Sequence, residues 1–336
     1  MIIRTAIVGL GSVNCHLLSI LENKRDRLLA DHDVEFLIVC LADSKGVAVN
    51  PDGYDPKTIR QLKQNGQGAN EFSGFLANVK MSDVLNDIEC DLVMEASPVN
   101  LKTGGPSLEV TKAALKLGIS VVLANKAPLV LAFHELHQIA AENNAGLAFS
   151  ATVCGGLPVI NIGQRDMIAA DITSLRGIFN STSNFILDEM ATGRSYDDAL
   201  SETQRRGIAE ADPSLDVDGW DTANKLSIIA NSILGIKVTL DDIKVEGIAD
   251  ITTQMLEDER KRGNVIKLVA EAESGKLSVK PIVLPETDFL ANCDGWEMAV
   301  EIHSDLYGIM YHKLWEREPV PTAASMLRDA VNIFAN

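Results

Sequence analysis

Strand-length apolar runs alternate with helical stretches over the first 150 or so residues, and that alternation leaves few folds open. Residues 3–8 (IRTAIV), 34–41 (VEFLIVCL), 91–96 (DLVMEA), 119–123 (ISVVL) and 146–150 (GLAFS) are apolar almost throughout. Strands that are hydrophobic on both faces belong to a parallel sheet covered by helices on either side. Helical stretches intervene: one through His16 to Leu21 that LENKRDRLLADHD prolongs, one at 107–117 and one at 133–143. After about Thr152 the pattern changes. The spacing predicts a strand over 172–180, a helix over Asn184 to Ala191, and helices through 197–234. It then predicts short mixed elements over 236–290, strand pairing over Glu301 to Tyr311, and a closing helix over Thr322 to Phe334. A chain of 336 residues is long enough for two domains with separate cores.

The first strand runs into Gly9-Leu10-Gly11-Ser12-Val13-Asn14. Gly9 allows a tight strand-to-helix turn, and Gly11 lets backbone amides approach a pyrophosphate at the helix N-terminus. The third glycine of the usual dinucleotide fingerprint is Asn14 here. Asp43 closes the second strand, where an acid hydrogen-bonds an adenosine ribose and favours NAD. Lys45 is close enough in sequence to meet a 2′-phosphate, so NADP stays open. The plainer alternative is that Gly9 and Gly11 serve only a turn and Asp43 only a strand end.

Charge and cysteines narrow the partners. The formal net charge is −17. Such a chain repels nucleic acid and anionic membranes, so neither is expected as a partner. No run is long and apolar enough for a spanning helix, and MIIRTAIVGLGS lacks the pattern of a signal peptide. Five scattered cysteines, with no metal-ligand spacing, read as reduced thiols in a cytoplasm. His134 and His137 stand in HELHQ, which is not a zinc motif.

A second concentration of chemistry lies in Gly207-Ile208-Ala209-Glu210-Ala211-Asp212-Pro213, followed by Asp216, Gly219, Asp221 and Lys225. The stretch TANKLSIIANSIL has helical periodicity, which puts Asp221 and Lys225 on one face. A buried carboxylate beside a lysine can hold a substrate oxygen and handle its proton. Partial desolvation can tune a lysine toward acid–base work, and a cation near the oxygen stabilises an alkoxide. Glu210 can meet an α-ammonium group. Against this stand an exposed i,i+4 pair for Asp221 and Lys225, a helix-capping role for Glu210, and a simple strand end for Lys126.

These residues together resemble homoserine dehydrogenases, in particular the short form without a regulatory domain. The resemblance rests on Gly9 to Val13, Glu95-Ala96-Ser97-Pro98, Ala124-Asn125-Lys126 and Ala151 to Ile160. It continues through Gly177 to Leu187, Gly207 to Lys225, and Pro321-Thr322-Ala323-Ala324-Ser325 with Asp329. It implies an α/β chain: a doubly wound Rossmann-type nucleotide domain with a second α+β substrate and dimerisation domain. The expected boundaries are 1–150, 151–300, and a C-terminal segment 301–336 that returns to the nucleotide domain. It implies NAD- or NADP-linked interconversion of aspartate 4-semialdehyde and homoserine, a small-molecule substrate and a homodimer. Lys126, Asp221 and Lys225 are the expected catalytic residues, with Glu210, Asn180, Thr182 and Gly207 at the substrate. Gly9, Gly11, Ser12, Val13, Asp43, Ser97, Pro98 and Asn125 are expected at the cofactor. Backbone carbonyls of Val153, Gly155 and Leu157 are expected to hold Na+ or K+.

The chain departs from the family pattern in three places. Asn14 and Cys154 replace glycines, and Leu314-Trp315-Glu316-Arg317-Glu318-Pro319-Val320 replaces a glycine-rich loop. Three readings therefore follow: a homoserine dehydrogenase with a variant loop, a dehydrogenase of a related amino-aldehyde, or a non-catalytic nucleotide-binding paralogue. The first is preferred, and the joint retention of Lys126, Glu210, Asp221 and Lys225 argues against the third, since a scaffold has no need of that set.

Overall fold

The computed structural model describes residues 1–206, 212–316 and 319–335. The chain divides into two compact units, one formed by residues 1–156 with the C-terminal helix, the other by the residues between them.

Unit 1 is built on seven strands: β1 (Ile2–Val8), β2 (Glu35–Asp43), β3 (Gly46–Tyr54), β4 (Phe75–Ala77), β5 (Leu92–Glu95), β6 (Ser120–Leu123) and β7 (Leu147–Ala148). Their order is β4-β3-β2-β1-β5-β6-β7. Strands β2, β1, β5, β6 and β7 are parallel. The expected parallel sheet is extended at one edge by β3 and β4, which run antiparallel. The stretch Asn50-Pro51-Asp52-Gly53 reads as a loop in sequence, since proline and glycine are confined to edges and bends of a sheet. Helices α1 (Ser12–His32), α2 (Pro56–Gln64), α3 (Gly105–Lys116) and α4 (Ala127–Glu142) complete this part.

Unit 2 carries a six-stranded sheet of β8 (Ile172–Ile178), β9 (Ile243–Val245), β10 (Asn264–Glu273), β11 (Lys276–Pro285), β12 (Glu297–Ser304) and β13 (Gly308–Trp315). The order is β13-β12-β8-β10-β11-β9, antiparallel except where β9 meets β11. Helices α5 (Ser181–Ala191), α6 (Tyr196–Arg205), α7 (Trp220–Ile233) and α8 (Thr253–Lys261) belong to it, with α5, α7 and α8 against β10. Lys267 of β10 is only 2 % exposed, yet fully engaged. It donates to Asp188 Oδ1 (2.6 Å), Asn184 Oδ1 (3.1 Å) and the Cys293 carbonyl (2.7 Å), tying α5 and the 293–295 turn to the sheet.

The C-terminal segment expected as one piece from residue 301 is divided. Residues 301 to 315 complete β12 and β13, a hairpin in which Glu301 faces Tyr311 within the strand pairing expected from Glu301 to Tyr311. The altered "loop" at 314–320 thus begins as paired strand, since Leu314 faces Met298 and Trp315 faces Glu297. Only α9 (Val320–Phe334) joins unit 1. Its apolar face sends Ala323, Met326, Leu327, Ala330 and Val331 into the core formed by Ile3, Ile7, Leu17, Leu18 and Met94. Full burial of each large side chain there contributes about 1.5–3 kcal/mol.

Asp329 fastens the same helix. Its carboxylate, 3 % exposed, accepts from the Ser150 amide (2.7 Å) and the Ser150 hydroxyl (2.9 Å). Asp329→Ala leaves a buried N–H and a buried hydroxyl without these acceptors. It is expected to cost roughly 2–4 kcal/mol, read as a lower urea midpoint with an unchanged slope.

Candidate active-site residues in the two units

In unit 1 the expected cofactor residues gather at the C-terminal edge of the parallel strands. The chain leaves β1 for β2 on one side and later returns to β5 on the other, so the loop after β1 sits at a topological switch point. Gly9 has φ +84°, and a Cβ there would lie 2.7 Å from the Ala96 carbonyl and from the Ser97 backbone. Glycine is required by both conformation and space. Gly11 caps α1 with no side-chain hydrogen bond, and its Cβ position meets nothing within 4 Å. Open space in front of uncapped helix amides fits a pyrophosphate. Ser12 and Val13 supply the first of those amides.

Asn14 explains the missing third glycine. It is fully buried, and its Nδ2 donates to the Val8 carbonyl (3.0 Å) and the Gly9 carbonyl (2.7 Å). The side chain thus pins the turn that the glycines shape.

The neighbouring loops are held by two buried polar side chains. Glu95, at the end of β5, accepts from the amide and hydroxyl of Ser97 and from the Ser107 hydroxyl (2.6 Å). Burial pushes its carboxyl above the usual range, opposed by those serine hydrogen bonds. Asn125 donates to the carbonyls of Ser97 (3.1 Å) and Pro98 (3.2 Å) and accepts from the Ala127 amide (2.9 Å). It links the loop after β5 to the start of α4. Lys126 is the N-cap of α4, half-buried, with its carbonyl accepting from Leu129 and Val130. Glu95 was legible only as part of a motif; its burial and its three donors come from the fold.

Asp43 ends β2, and both of its oxygens are engaged. Oδ1 accepts from the Lys45 amide and Oδ2 from the Ala69 amide, each at 2.8 Å.

In unit 2, Asn180, Asp221 and Lys225 come together. Asn180 follows β8 and caps α5 by accepting from the Ser183 amide (2.8 Å). Its Nδ2 donates to Asp221 Oδ2 (2.7 Å) and to Asp216 Oδ1 (2.6 Å). Lys225 Nζ lies 2.8 Å from Asp221 Oδ2 and donates to the Phe179 carbonyl at 2.7 Å. The Asp221 and Lys225 side chains are 9 % and 15 % exposed, so the surface-pair alternative is excluded. Thr182 sits buried in the first turn of α5. Gly219 starts α7 at φ +83°, which sets the direction of the helix that carries both charged residues. The Phe179 carbonyl and Asp216 are the partners that sequence reasoning left unassigned. Gly207 and Glu210 lie outside the described residues.

The cation residues have partners of their own. The Gly155 carbonyl accepts from the Ser325 hydroxyl (3.0 Å) and the Leu157 carbonyl from the Val159 amide (2.9 Å). The Val153 amide donates to the Ser150 carbonyl (3.3 Å). Between them Cys154 is buried at φ +53°, the left-handed conformation that glycine adopts without strain. Among the described residues, no group of His, Cys, Asp and Glu is arranged to hold a metal. None of the helices there is long and apolar enough to cross a membrane.

The class is set by the doubly wound sheet with its glycine turn and by a second unit that buries a lysine–aspartate pair. It is the two-domain α/β proteins with a dinucleotide-type turn. Residues 158–331 match the homoserine dehydrogenase family. A homoserine dehydrogenase of Methanocaldococcus jannaschii is 34% identical over 98% of this chain and 97% of its own. An NAD(+)-dependent homoserine dehydrogenase of Pseudomonas canavaninivorans is 30% identical over 98% of this chain and 96% of its own. A hyperthermophilic archaeal homoserine dehydrogenase, solved in complex with NADPH, superposes with TM-score 0.84. It is 26% identical and covers 99% of this chain and 97% of that one. The chain belongs to the homoserine dehydrogenase family.

Proposed function

We propose that this protein is a homoserine dehydrogenase, using NAD or NADP to interconvert L-homoserine and L-aspartate 4-semialdehyde. The observation that carries the reading is the buried Lys225–Asp221 pair, held by Asn180 and the Phe179 carbonyl. A reduction of an aldehyde needs a hydride and a proton. The dinucleotide, when bound, supplies the hydride in reduction and accepts it in oxidation. Gly9, Gly11, Ser12, Val13, Ser97, Pro98 and Asn125 would hold it, with Asp43 at the adenosine end.

Lys225 handles the proton. In reduction its ammonium gives a proton to the aldehyde oxygen as the alkoxide develops; in oxidation it takes the hydroxyl proton back. Asp221 keeps the lysine oriented and balances its charge in a dry surrounding. Lys126 stabilises negative charge on the substrate. Asn180, Thr182 and Gly207 line the substrate, and Glu210 takes its α-ammonium group.

The same reading makes the protein a homodimer through unit 2. Along one face of β13, Ile309, Tyr311 and Trp315 are 48%, 51% and 58% exposed, with Lys313 between the last two paired to Glu297. Three large exposed apolar side chains on a sheet edge support a covered face. Tyr311→Glu with Trp315→Glu is expected to halve the mass seen by light scattering. A wild-type monomer under the same conditions would reject the dimer.

The activity is tested by homoserine-dependent reduction of NAD and of NADP by the purified protein, followed by the absorbance of the reduced nicotinamide. Turnover of other amino-alcohols without homoserine would move the substrate to a related amino-aldehyde. Dinucleotide binding with no turnover would favour the paralogue reading.

A further inference from the structure

The buried ammonium of Lys267 takes no part in the proposed reaction. Well-packed apolar side chains of similar volume are often at least as stable in such a place, so packing alone does not call for a lysine. What the ammonium adds is direction. An ammonium has three donors, and those of Lys267 meet Asp188 and Asn184 on α5 and the Cys293 carbonyl. The same side of α5 makes further bonds to the turn after Cys293. Asn184 Nδ2 donates to the carbonyls of Cys293 (3.0 Å) and Gly295 (3.2 Å), and the Gly295 amide donates to Asp188 Oδ2 (2.5 Å). Asn180, Asn184 and Asp188 are spaced four apart, so the cap of α5 and its two anchors fall along one side of the helix. The Asn184 amide also donates to the Asn180 carbonyl (3.4 Å).

We infer that Lys267 is a positioning residue of the candidate active site: through Asn184 and Asp188 it fixes the register of α5 and so holds Asn180 against Asp221. The inference rests on the homoserine dehydrogenase reading given above. Asn180 Nδ2 meets Asp221 Oδ2 at 2.7 Å. A bond of this kind is lost beyond about 3.5 Å. A slip of α5 by a single residue would carry its cap roughly 1.5 Å along the helix axis, enough to break the bond. Apolar packing is non-directional and tolerates such a slip, whereas three donors aimed at three fixed acceptors do not. The effect of Lys267 on Asp221 and Lys225 is carried by the helix.

The test is a double-mutant cycle on kcat for homoserine, with Lys267→Met and Asn180→Ala. Lys267→Met keeps most of the stem and removes the ammonium. It should lower kcat by roughly 10- to 100-fold, the scale of a small misplacement at a reacting centre. NADH affinity, measured by titration, should match wild type, because the dinucleotide residues lie in the other unit. If Lys267 acts through Asn180, the double variant should be no slower than Asn180→Ala alone, within about threefold. A loss of stability alone would not produce that coupling. Asp188→Asn is the milder companion should Lys267→Met fail to fold. It keeps an acceptor for Lys267 but cannot also accept from the Gly295 amide, and it should show the same coupling with a smaller loss. Losses that multiply in the double variants would overturn the inference, as would a single variant that is less stable yet keeps kcat within about twofold. Wild-type protein that binds NADH and does not turn over homoserine would instead overturn the reading on which the inference rests.

Discussion

Lys225→Met is expected to lower kcat for homoserine by about 10²–10⁴-fold, the usual contribution of a positioned general acid–base. NADH binding should be retained, because the glycine turn and its supporting loops lie in the other unit. The variant should also lose stability, since Asp221 keeps a buried carboxylate without its cation. Breaking a buried pair from one side costs roughly 3–5 kcal/mol. The double variant Lys225→Met with Asp221→Asn removes that penalty and separates the two effects. It should regain most of the thermal stability and none of the turnover. Near-normal turnover in the single variant would remove Lys225 from proton transfer.

Gly9→Ala is expected to weaken NADH binding by on the order of a hundredfold and to lower the melting temperature. Two costs coincide at this position. A left-handed backbone costs an L-residue roughly 1–2 kcal/mol. The new methyl group would also sit 2.7 Å from backbone atoms of Ala96 and Ser97. Backbone cannot swing aside as a side-chain tip does, so the loop after β5 must move, and Ser97 with it. Gly11→Ala is the informative companion. Its φ is −85° and its Cβ meets no protein atom within 4 Å, so stability should stay near wild type. Binding should still fall, because the methyl group enters the space in front of the helix amides. Unchanged NADH affinity in Gly11→Ala would place the dinucleotide elsewhere.

The sequence made parts of this molecule legible because their physics is local. Gly9 and Gly11 announce a turn between strand and helix, and Asp221 with Lys225 announce a shared helical face. The partners of that pair were not legible. Phe179 contributes a carbonyl, which has no residue signature, and Asp216 accepts from Asn180 only because the helical turn Ser214–Val217 packs beside α5. Strands β10 and β11 were missed although Ser274-Gly275, at φ +51° and +76°, marks their turn. Lys267 and Glu271 interrupt the apolar pattern there, and Lys267 is buried only because Asp188, Asn184 and Cys293 surround its ammonium. Asn14 looked like a departure from the glycine fingerprint. In the fold it replaces backbone closeness with two side-chain hydrogen bonds, a substitution that pattern matching cannot score.

The placement of α9 has a consequence for biosynthesis. Its side chains complete the core around β1 and α1, yet the ribosome reaches residues 320–334 only after it has made the whole of unit 2. The first strands to emerge must wait, with Ile3, Ile7 and Met94 incompletely covered, while a later segment can already close its own sheet. Folding of unit 1 is thus timed by residues 320–334, and the nascent glycine turn waits through the synthesis of unit 2 for its final support.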